Sequence, residues 1–200
     1  MNSGKLFVMS GPSGTGKGTI CKELLQNRPN MVLSVSMTTR KPREGEIDGI
    51  SYFFATKEEF ENNIKKDGLL EYAKVFENYY GTPRKAVMDN LEKGNDVLLE
   101  IDVQGAMQVK EKFQDAIMVF IMPPSLDELK SRIVGRGTET EESIKRRLGE
   151  ALNEIHMADK YDYIVVNDML KEAVLDFEKI VDAEHLKMCQ EKKEFIGEFK

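Results

Sequence analysis

A glycine-rich segment near the amino terminus has the composition of a phosphate-binding loop. Gly11, Gly16 and Lys17 satisfy the G-x-x-x-x-G-K pattern, and the apolar run 6–9 before them is typical of a buried strand. Such glycines let successive backbone N–H groups turn inward around a polyphosphate, and a helix beginning near Lys17 points its positive dipole end at the same anion. The lysine adds a charge that reaches the β- and γ-phosphates. The segment predicts a nucleoside triphosphate site.

The residue after the lysine departs from the usual pattern. Ser or Thr normally stands there and ligates Mg²⁺, whereas this chain has Gly18, followed by Thr19. We therefore expect phosphate oxygens and water to hold most of the metal, with Thr19 nearby. A chance match to the motif is the alternative. The strand before the motif and the amphipathic run 20–26 after it disfavour that alternative.

Two further segments have residue types suited to the same chemistry. Arg40 and Arg43 lie three apart in a loop with Gly and Pro, and paired guanidinium groups suit a phosphate monoester; a solvated basic loop is the alternative. The largely apolar run 97–101 contains Glu100 near its end and is followed directly by Asp102. An acid at such a strand end commonly lies near the metal in phosphate-loop proteins, the alternative being a plain strand terminus.

Residues 132–147 concentrate positive charge around two glycines. This pattern favours a mobile lid that closes arginines over a polyphosphate. A polyanion-binding patch is the alternative, and interleaved glutamates at positions 139, 141 and 142 make it a poor one.

The composition limits the class of protein. The chain has 200 residues, 40% of them hydrophobic, which is enough for one α/β domain with small inserted lobes. No apolar run approaches a membrane span, and a strand begins too early for a signal peptide, so we expect a cytoplasmic protein with no membrane contact. A net charge of −6 argues against a nucleic-acid partner. The two cysteines lack metal spacing.

The order of apolar and amphipathic runs predicts the fold. Short apolar runs at 6–9, 32–35, 97–101, 117–122 and 163–166 are mostly separated by helical patterns. That alternation predicts an α/β fold in which helices sandwich a parallel β-sheet. Residues 38–80 are instead rich in aromatics with short strand-like pieces, and predict a small inserted mixed lobe.

Taken together, these segments resemble the guanylate kinase family. The shared motifs are residues 11–17, 34–36, 38–40 with 42–43, 78–81, 101–105 and 135–139, in the family's order over about residues 4–185. The resemblance implies a P-loop NTPase fold with a GMP-binding lobe at 38–82 and a helical lid at 126–150. The core would then be formed by residues 1–37, 83–125 and 151–200.

The resemblance also implies the reaction. With Mg²⁺ as cofactor, the γ-phosphoryl group of ATP would pass to GMP, and to dGMP, giving ADP and GDP for GTP and dGTP synthesis and GMP recycling. The acceptor oxygen is already ionised at neutral pH, so no general base is required.

Individual roles follow from the resemblance, position by position. The residues implied to bind ATP are Gly11, Pro12, Ser13, Gly14, Thr15, Gly16, Lys17, Gly18, Thr19 and Asn167. Those implied to hold the GMP phosphate are Arg40, Arg43, Tyr52 and Tyr80, and those around guanine are Ser36, Glu71, Thr82 and Asp102. The catalytic cations would be Lys17, Arg132, Arg136 and Arg147. Glu100, acting through water, and Thr19 are the candidates for the metal.

Two rival interpretations differ in class. Guanylate-kinase-like domains of scaffold proteins have lost phosphate-loop residues and bind proteins, whereas this chain keeps Gly16, Lys17 and its arginines. The other rival is a kinase for a different monophosphate or a sugar phosphate. Glu71 and Asp102 in the base pocket should decide between that enzyme and a GMP kinase.

Overall fold

The computed structural model describes residues 3–134, 141–188 and 190–199. The strands are β1 (Leu6–Ser10), β2 (Met31–Leu33), β3 (Met37–Thr38), β4 (Phe53–Phe54), β5 (Leu69–Val75), β6 (Asn78–Pro83), β7 (Asp96–Glu100), β8 (Ile117–Met122) and β9 (Tyr163–Val166). The helices are α1 (Lys17–Asn27), α2 (Lys57–Lys65), α3 (Arg84–Glu92), α4 (Val103–Lys112), α5 (Leu126–Val134), α6 (Glu141–Ile155), α7 (Leu170–Leu186) and α8 (Gln190–Gly197).

A parallel sheet with the order β2-β7-β1-β8-β9 forms the centre of the molecule. Helices cover both of its faces, which confirms the predicted α/β fold. β2 begins one residue earlier and ends two residues earlier than predicted. The Ser34 N–H still bonds to the Leu98 carbonyl, and the chain then enters a second sheet at Met37.

β1 shows why the central strands are apolar without alternation. Successive side chains of a strand point to opposite faces, and both faces of this sheet are buried. Phe7 packs on the face with α1 and α7, at 6.2 Å from the ring of Phe177. Its neighbours Leu6 and Val8 pack on the other face with α3 and α4. The strand therefore lies between two hydrophobic layers, which fix the start of the loop that follows it.

The second sheet runs from Met37 to Pro83, one residue beyond each end of the segment 38–82 that the resemblance implies as a lobe. Its order is β4-β3-β6-β5, with β3–β4 parallel and the other two pairs antiparallel. α2 begins at a capping box of Thr56 and Glu59, and it buries Phe60 against Tyr79 with ring centroids 5.3 Å apart. Movement of this sheet as a separate lobe stays a prediction.

α5 and α6 form a small cluster beside the central sheet. Leu129 and Ile133 of α5 pack against Ala151 of α6. The segment between the two helices, residues 135–140, lies outside the described residues. The division of the chain into core, lobe and lid at the predicted boundaries stays a prediction. Within the described ranges, no helix is long and apolar enough to cross a membrane.

Candidate functional site

The predicted phosphate loop connects β1 to α1. Gly11 and Gly16 have φ angles of 137° and 87°, a region that side chains disfavour. A Cβ atom at Gly11 would lie 2.4 Å from the Ile121 carbonyl oxygen, and one at Gly16 would lie 2.5 Å from Asn167 Nδ2. The glycines are thus required both by backbone conformation and by close packing on β8 and on the residue after β9.

Lys17 is the first residue of α1 and folds back across the loop. Its Nζ donates hydrogen bonds to the carbonyl oxygens of Gly11 and Pro12, the latter at 3.0 Å. The ammonium group and the amino-terminal end of the helix therefore lie at the same place. Both contribute positive potential, which suits a polyphosphate.

Asn167 braces the loop from the far edge of the sheet. Its Nδ2 donates to the Thr15 carbonyl at 2.7 Å, and the Thr15 hydroxyl donates to the Pro12 carbonyl at 2.9 Å. Both residues are buried. The resemblance assigns Asn167 to adenine, and the structure adds a contact with the loop that the sequence does not predict.

Two of the three predicted lid arginines are described, and one of them contacts the loop directly. Arg147 of α6 donates to the Ser13 hydroxyl at 2.8 Å. Arg132 of α5 donates to the Asn167 carbonyl at 3.1 Å and to Glu128 at 2.8 Å. Arg136 lies outside the described residues. α6 thus brings the Arg147 guanidinium to the loop, and α5 brings that of Arg132 to Asn167, which binds the loop.

A cavity of about 510 Å³ opens beside the loop and has an acidic wall of Glu100, Asp102 and Glu154. Partial burial raises the pKa of Glu100, and the Lys17 charge opposes this rise. Burial raises the pKa of Glu154 as well. The sequence analysis does not single out Glu154. Its position seven residues after Arg147, on the same face of α6, is the signal that could have found it.

The acidic wall fits a hydrated divalent cation that also binds phosphate. A Cβ atom at Gly18 would lie 3.5 Å from Glu100 Oε1, so the missing side chain leaves the space between α1 and this carboxylate open. Thr19 also lines the cavity. Across the described residues, no group of three or more His, Cys, Asp or Glu could hold a metal by itself. Oxygen ligands from phosphate and water would complete the shell, as Mg²⁺ prefers.

The predicted base pocket contains a buried carboxylate. Glu71 of β5 is 7% exposed, and its Oε1 accepts a hydrogen bond of 2.6 Å from the Thr82 hydroxyl. A Cβ atom at Gly105 would lie 3.1 Å from Glu71 Oε2 and 3.5 Å from Asp102 Oδ1. Glu71, Thr82 and Asp102 therefore lie together, although the sequence separates them widely. Burial raises the pKa of Glu71, and Asp102 raises it further, while the Thr82 hydrogen bond lowers it.

Asp102 and Ser36 hold different parts of the backbone around this pocket. Asp102 is the N-cap of α4, where its carboxylate accepts from the Gly105 N–H at 2.8 Å. The Ser36 carbonyl accepts from the Phe53 N–H at 2.8 Å, between β2 and β3. The pocket is thus built from β5 and β6 of the second sheet, the segment between β2 and β3, and the first turn of α4.

The predicted phosphate-monoester site lies on the second sheet. The Arg40 guanidinium lies 5.4 Å from the ring centre of Tyr52, and the Tyr52 and Tyr80 rings are 6.1 Å apart. Arg40 also donates to the Glu46 carboxylate at 2.7 Å. This interaction raises the pKa of Arg40 and lowers that of Glu46. Three of the four predicted phosphate ligands, Arg40, Tyr52 and Tyr80, therefore lie together.

Arg43 and Glu46 lie in the same loop as Arg40 and are hydrogen-bonded to each other. The Arg43 backbone N–H donates to the second Glu46 oxygen at 2.8 Å, while its side chain is exposed. Glu46 therefore binds Arg40 and the Arg43 backbone at once, a role that the sequence analysis does not assign. A carboxylate three residues after Arg43, in a loop with Gly and Pro, is the available signal.

Comparison with known proteins gives a consistent result over nearly the whole chain. A family model described as guanylate kinase matches residues 3–184. A guanylate kinase of Clostridium tetani is 59% identical over 92% of this chain and 88% of that protein. One of Clostridioides difficile is 52% identical over 100% and 98% of the two chains. A crystal structure of guanylate kinase from Anaplasma phagocytophilum superposes with a TM-score of 0.73 at 37% identity, covering 94% and 90%.

Proposed function

The chain belongs to the guanylate kinase family, and we propose on that basis that it transfers the γ-phosphoryl group of ATP to GMP, giving ADP and GDP. The observation that carries the proposal is the buried Glu71 carboxylate between Thr82 and Asp102. We extend the proposal to dGMP as a second acceptor and to a role in GTP and dGTP synthesis and GMP recycling.

Guanine is the base that such a pocket would select. It presents two adjacent donors, N1–H and the 2-amino group, and an ionised Glu71 accepts both. Adenine has a lone pair at N1 and no group at C2, so the same carboxylate would face an acceptor. Asp102 can take a further donor, while the Ser36 hydroxyl can turn either way. A pocket built for hydrogen bonds rejects the mismatched base because its buried polar groups are left unpaired.

The acceptor phosphate would bind at Arg40, Arg43, Tyr52 and Tyr80. In the described structure Glu46 takes up one edge of the Arg40 guanidinium, and Tyr52 lies over its face. A guanidinium group has five N–H donors, so Arg40 can keep Glu46 and still bind a phosphate oxygen. The Arg43 side chain, which is exposed, would turn toward the same phosphate.

Transfer needs alignment of two anions and neutralisation of the charge between them. Lys17 and Arg147 lie at the loop that would hold the ATP phosphates. Arg132 binds the carbonyl of Asn167, whose side chain in turn binds the loop. Closure of α5 and α6 over the loop would exclude water and so prevent hydrolysis of ATP. We include Arg136 in this set by resemblance alone.

Mg²⁺ belongs to the proposal as the partner of ATP. Glu100, through water, and Thr19 would hold it together with phosphate oxygens, in the space that Gly18 leaves open. The ion would supply positive charge to the transferring group. The cytoplasmic location and the absence of a nucleic-acid partner stay predictions.

An ADP-release assay with five acceptors tests the proposal. We expect activity with GMP and dGMP, and kcat/KM for AMP, CMP and UMP lower by roughly 10⁴ or more. Glu71→Ala should abolish most GMP activity while AMP activity stays negligible or rises slightly, so that the ratio shrinks. Glu77→Ala, on the exposed turn between β5 and β6, is the matched control and should behave as wild type. Preference of the wild type for another monophosphate would overturn the proposal.

A further inference from the structure

We propose that Gln108 is a positioning residue for base recognition, because its side chain fixes the backbone that presents Glu71 to the pocket. The inference rests on the proposed function and names a residue outside every motif discussed above. Gln108 lies in the middle of α4 and is half-buried. Its side chain reaches the second sheet.

The contact is a two-point bridge to a strand edge. β5 is the last strand of the order β4-β3-β6-β5, so one side of its backbone has no strand beside it. At Tyr72 that side is covered by Gln108. The Gln108 Oε1 accepts from the Tyr72 N–H at 3.1 Å, and the Gln108 Nε2 donates to the Tyr72 carbonyl at 3.1 Å. One amide thereby replaces the neighbouring strand that an edge lacks.

The bridge lies next to an irregularity in β5. Leu69 pairs with Pro83 but Tyr72 pairs with Gly81, so β5 holds one more residue than β6 over this stretch. Leu69, Leu70 and Glu71 are buried in succession at this irregularity. A bulge re-aims a side chain in this way. Glu71 therefore owes its inward direction to the bulge.

α4 holds both ends of the bulge. The Lys112 ammonium donates to the Leu69 carbonyl at 2.8 Å, and Gln108 binds Tyr72. Gly105 leaves room for the Glu71 carboxylate between them. Positions 105, 108 and 112 are spaced i, i+3 and i+7, which places them on one face of the helix. Because Asp102 caps the same helix, α4 sets the distance between the two pocket carboxylates.

The side-chain amide of Gln108 makes both contacts at once. It carries a donor and an acceptor on one planar group, whereas a carboxylate at neutral pH has acceptors only and an alkyl chain has neither. Gln108→Ala removes both hydrogen bonds. Gln108→Met also removes them but keeps the length and helix propensity of the side chain, which protects the fold.

The test compares GMP with IMP, which lacks the 2-amino group. A displaced Glu71 loses its contact with that group, so the GMP/IMP ratio of kcat/KM reports its position. We expect both Gln108 variants to lower kcat/KM for GMP by roughly tenfold, mainly through KM, and the GMP/IMP ratio by roughly fivefold, which is the loss of about one hydrogen bond. KM for ATP should stay unchanged. Glu111→Ala, exposed on the same helix, should change none of these values.

The outcomes separate the inference from the proposed function. A wild-type enzyme that does not phosphorylate GMP would refute the proposed function. An active wild type whose GMP/IMP ratio persists in both Gln108 variants would refute the inference, even if their melting temperatures fall, because Gln108 would then be only structural. Failure of both variants to fold would refute it for the same reason.

Discussion

The predicted phosphate loop and the predicted base pocket lie on opposite sides of the turn between β7 and α4, and they are built in opposite ways. The loop is a single stretch, residues 11–19, and it acts through backbone groups and one lysine. The pocket combines Glu71, Thr82 and Asp102 from three elements, and it acts through side chains. The difference teaches that a site made from backbone is local in sequence, whereas a site made from buried side chains depends on packing.

The two regions also differ in charge. Lys17 and Arg147 make the loop positive, as a polyphosphate requires. The pocket instead holds the buried Glu71 carboxylate, whose pKa is raised because burial favours its neutral form. The turn between β7 and α4 joins them, since Glu100 faces the loop and Asp102 reaches the pocket.

The largest loss of activity is expected from a substitution in the loop. Lys17→Ala removes the ammonium group at the start of α1, so we expect phosphoryl transfer to fall by roughly a hundredfold or more in a folded protein. Lys22→Ala, exposed on the same helix, is the control. Steady-state kinetics and a melting curve measure both. Activity within a few-fold of wild type, with normal ATP affinity, would remove Lys17 from the mechanism.

Arg147 tests whether α6 belongs to the loop or to the pocket. Its contact with Ser13 places it at the loop, so Arg147→Ala should lower kcat by roughly tenfold to a hundredfold and change KM for GMP far less. Arg146→Ala removes a side chain that is 72% exposed and should be near neutral. A variant with unchanged kcat and weaker GMP binding would assign this helix to the monophosphate site instead.

The sequence predicts the loop side better than the pocket side, and the reason is physical. A glycine that needs a positive φ and a lysine at a helix start are fixed by local geometry, so Gly16 and Lys17 are readable from their spacing. The apolar runs likewise place the parallel sheet, because a strand buried on both faces has no alternation.

The pocket could be located only by resemblance, because its geometry comes from contacts between distant segments. Nothing near Glu71 in the sequence marks a bulge, and a lone glutamate in a strand is usually exposed. The same holds for Gln108 and Glu154, whose partners, Tyr72 and the loop cavity, lie in other segments. Helical spacing was the available signal for both.

Acid titration should distinguish the pocket from the loop. The pKa of Glu71 is raised, so kcat/KM for GMP should fall about tenfold per pH unit below that pKa, at higher pH than for an ordinary glutamate. KM for ATP should not follow. Glu71→Gln should lose this dependence along with most activity. A GMP profile that falls only near the ordinary glutamate pKa would show that Glu71 is not the group involved.

The same shift has a sign for stability. A carboxyl group with a raised pKa binds its proton more tightly in the folded state than in the unfolded chain. Its contribution to the free energy of unfolding therefore declines as pH rises from the ordinary glutamate pKa through the folded value. At neutral pH Glu71→Gln should melt at the same temperature as wild type or higher, in the absence of nucleotide. A clear drop would mean that the ionised Glu71 stabilises the fold.

The smallest effect expected comes from a single methyl group in the pocket. Gly105 and Gly149 both lie in helices, α4 and α6, so alanine should favour the helix by up to about 1 kcal/mol at either position. Nothing lies within 4 Å of a Cβ at Gly149, and Gly149→Ala should only raise the melting temperature. At Gly105 the new Cβ would lie 3.1 Å from Glu71 Oε2, so the carboxylate must move by a few tenths of an ångström.

That displacement should appear as a several-fold rise in KM for GMP with little change in kcat or in KM for ATP, because a bond to guanine weakens while the loop is untouched. Gly105→Ala would then separate binding of the base from phosphoryl transfer, which Lys17→Ala cannot do. Equal kinetics for the two alanine variants would mean that Glu71 adjusts freely. The pocket would then tolerate movement of its side chains. The loop would differ from it in this respect, because a Cβ atom at Gly16 would clash with Asn167.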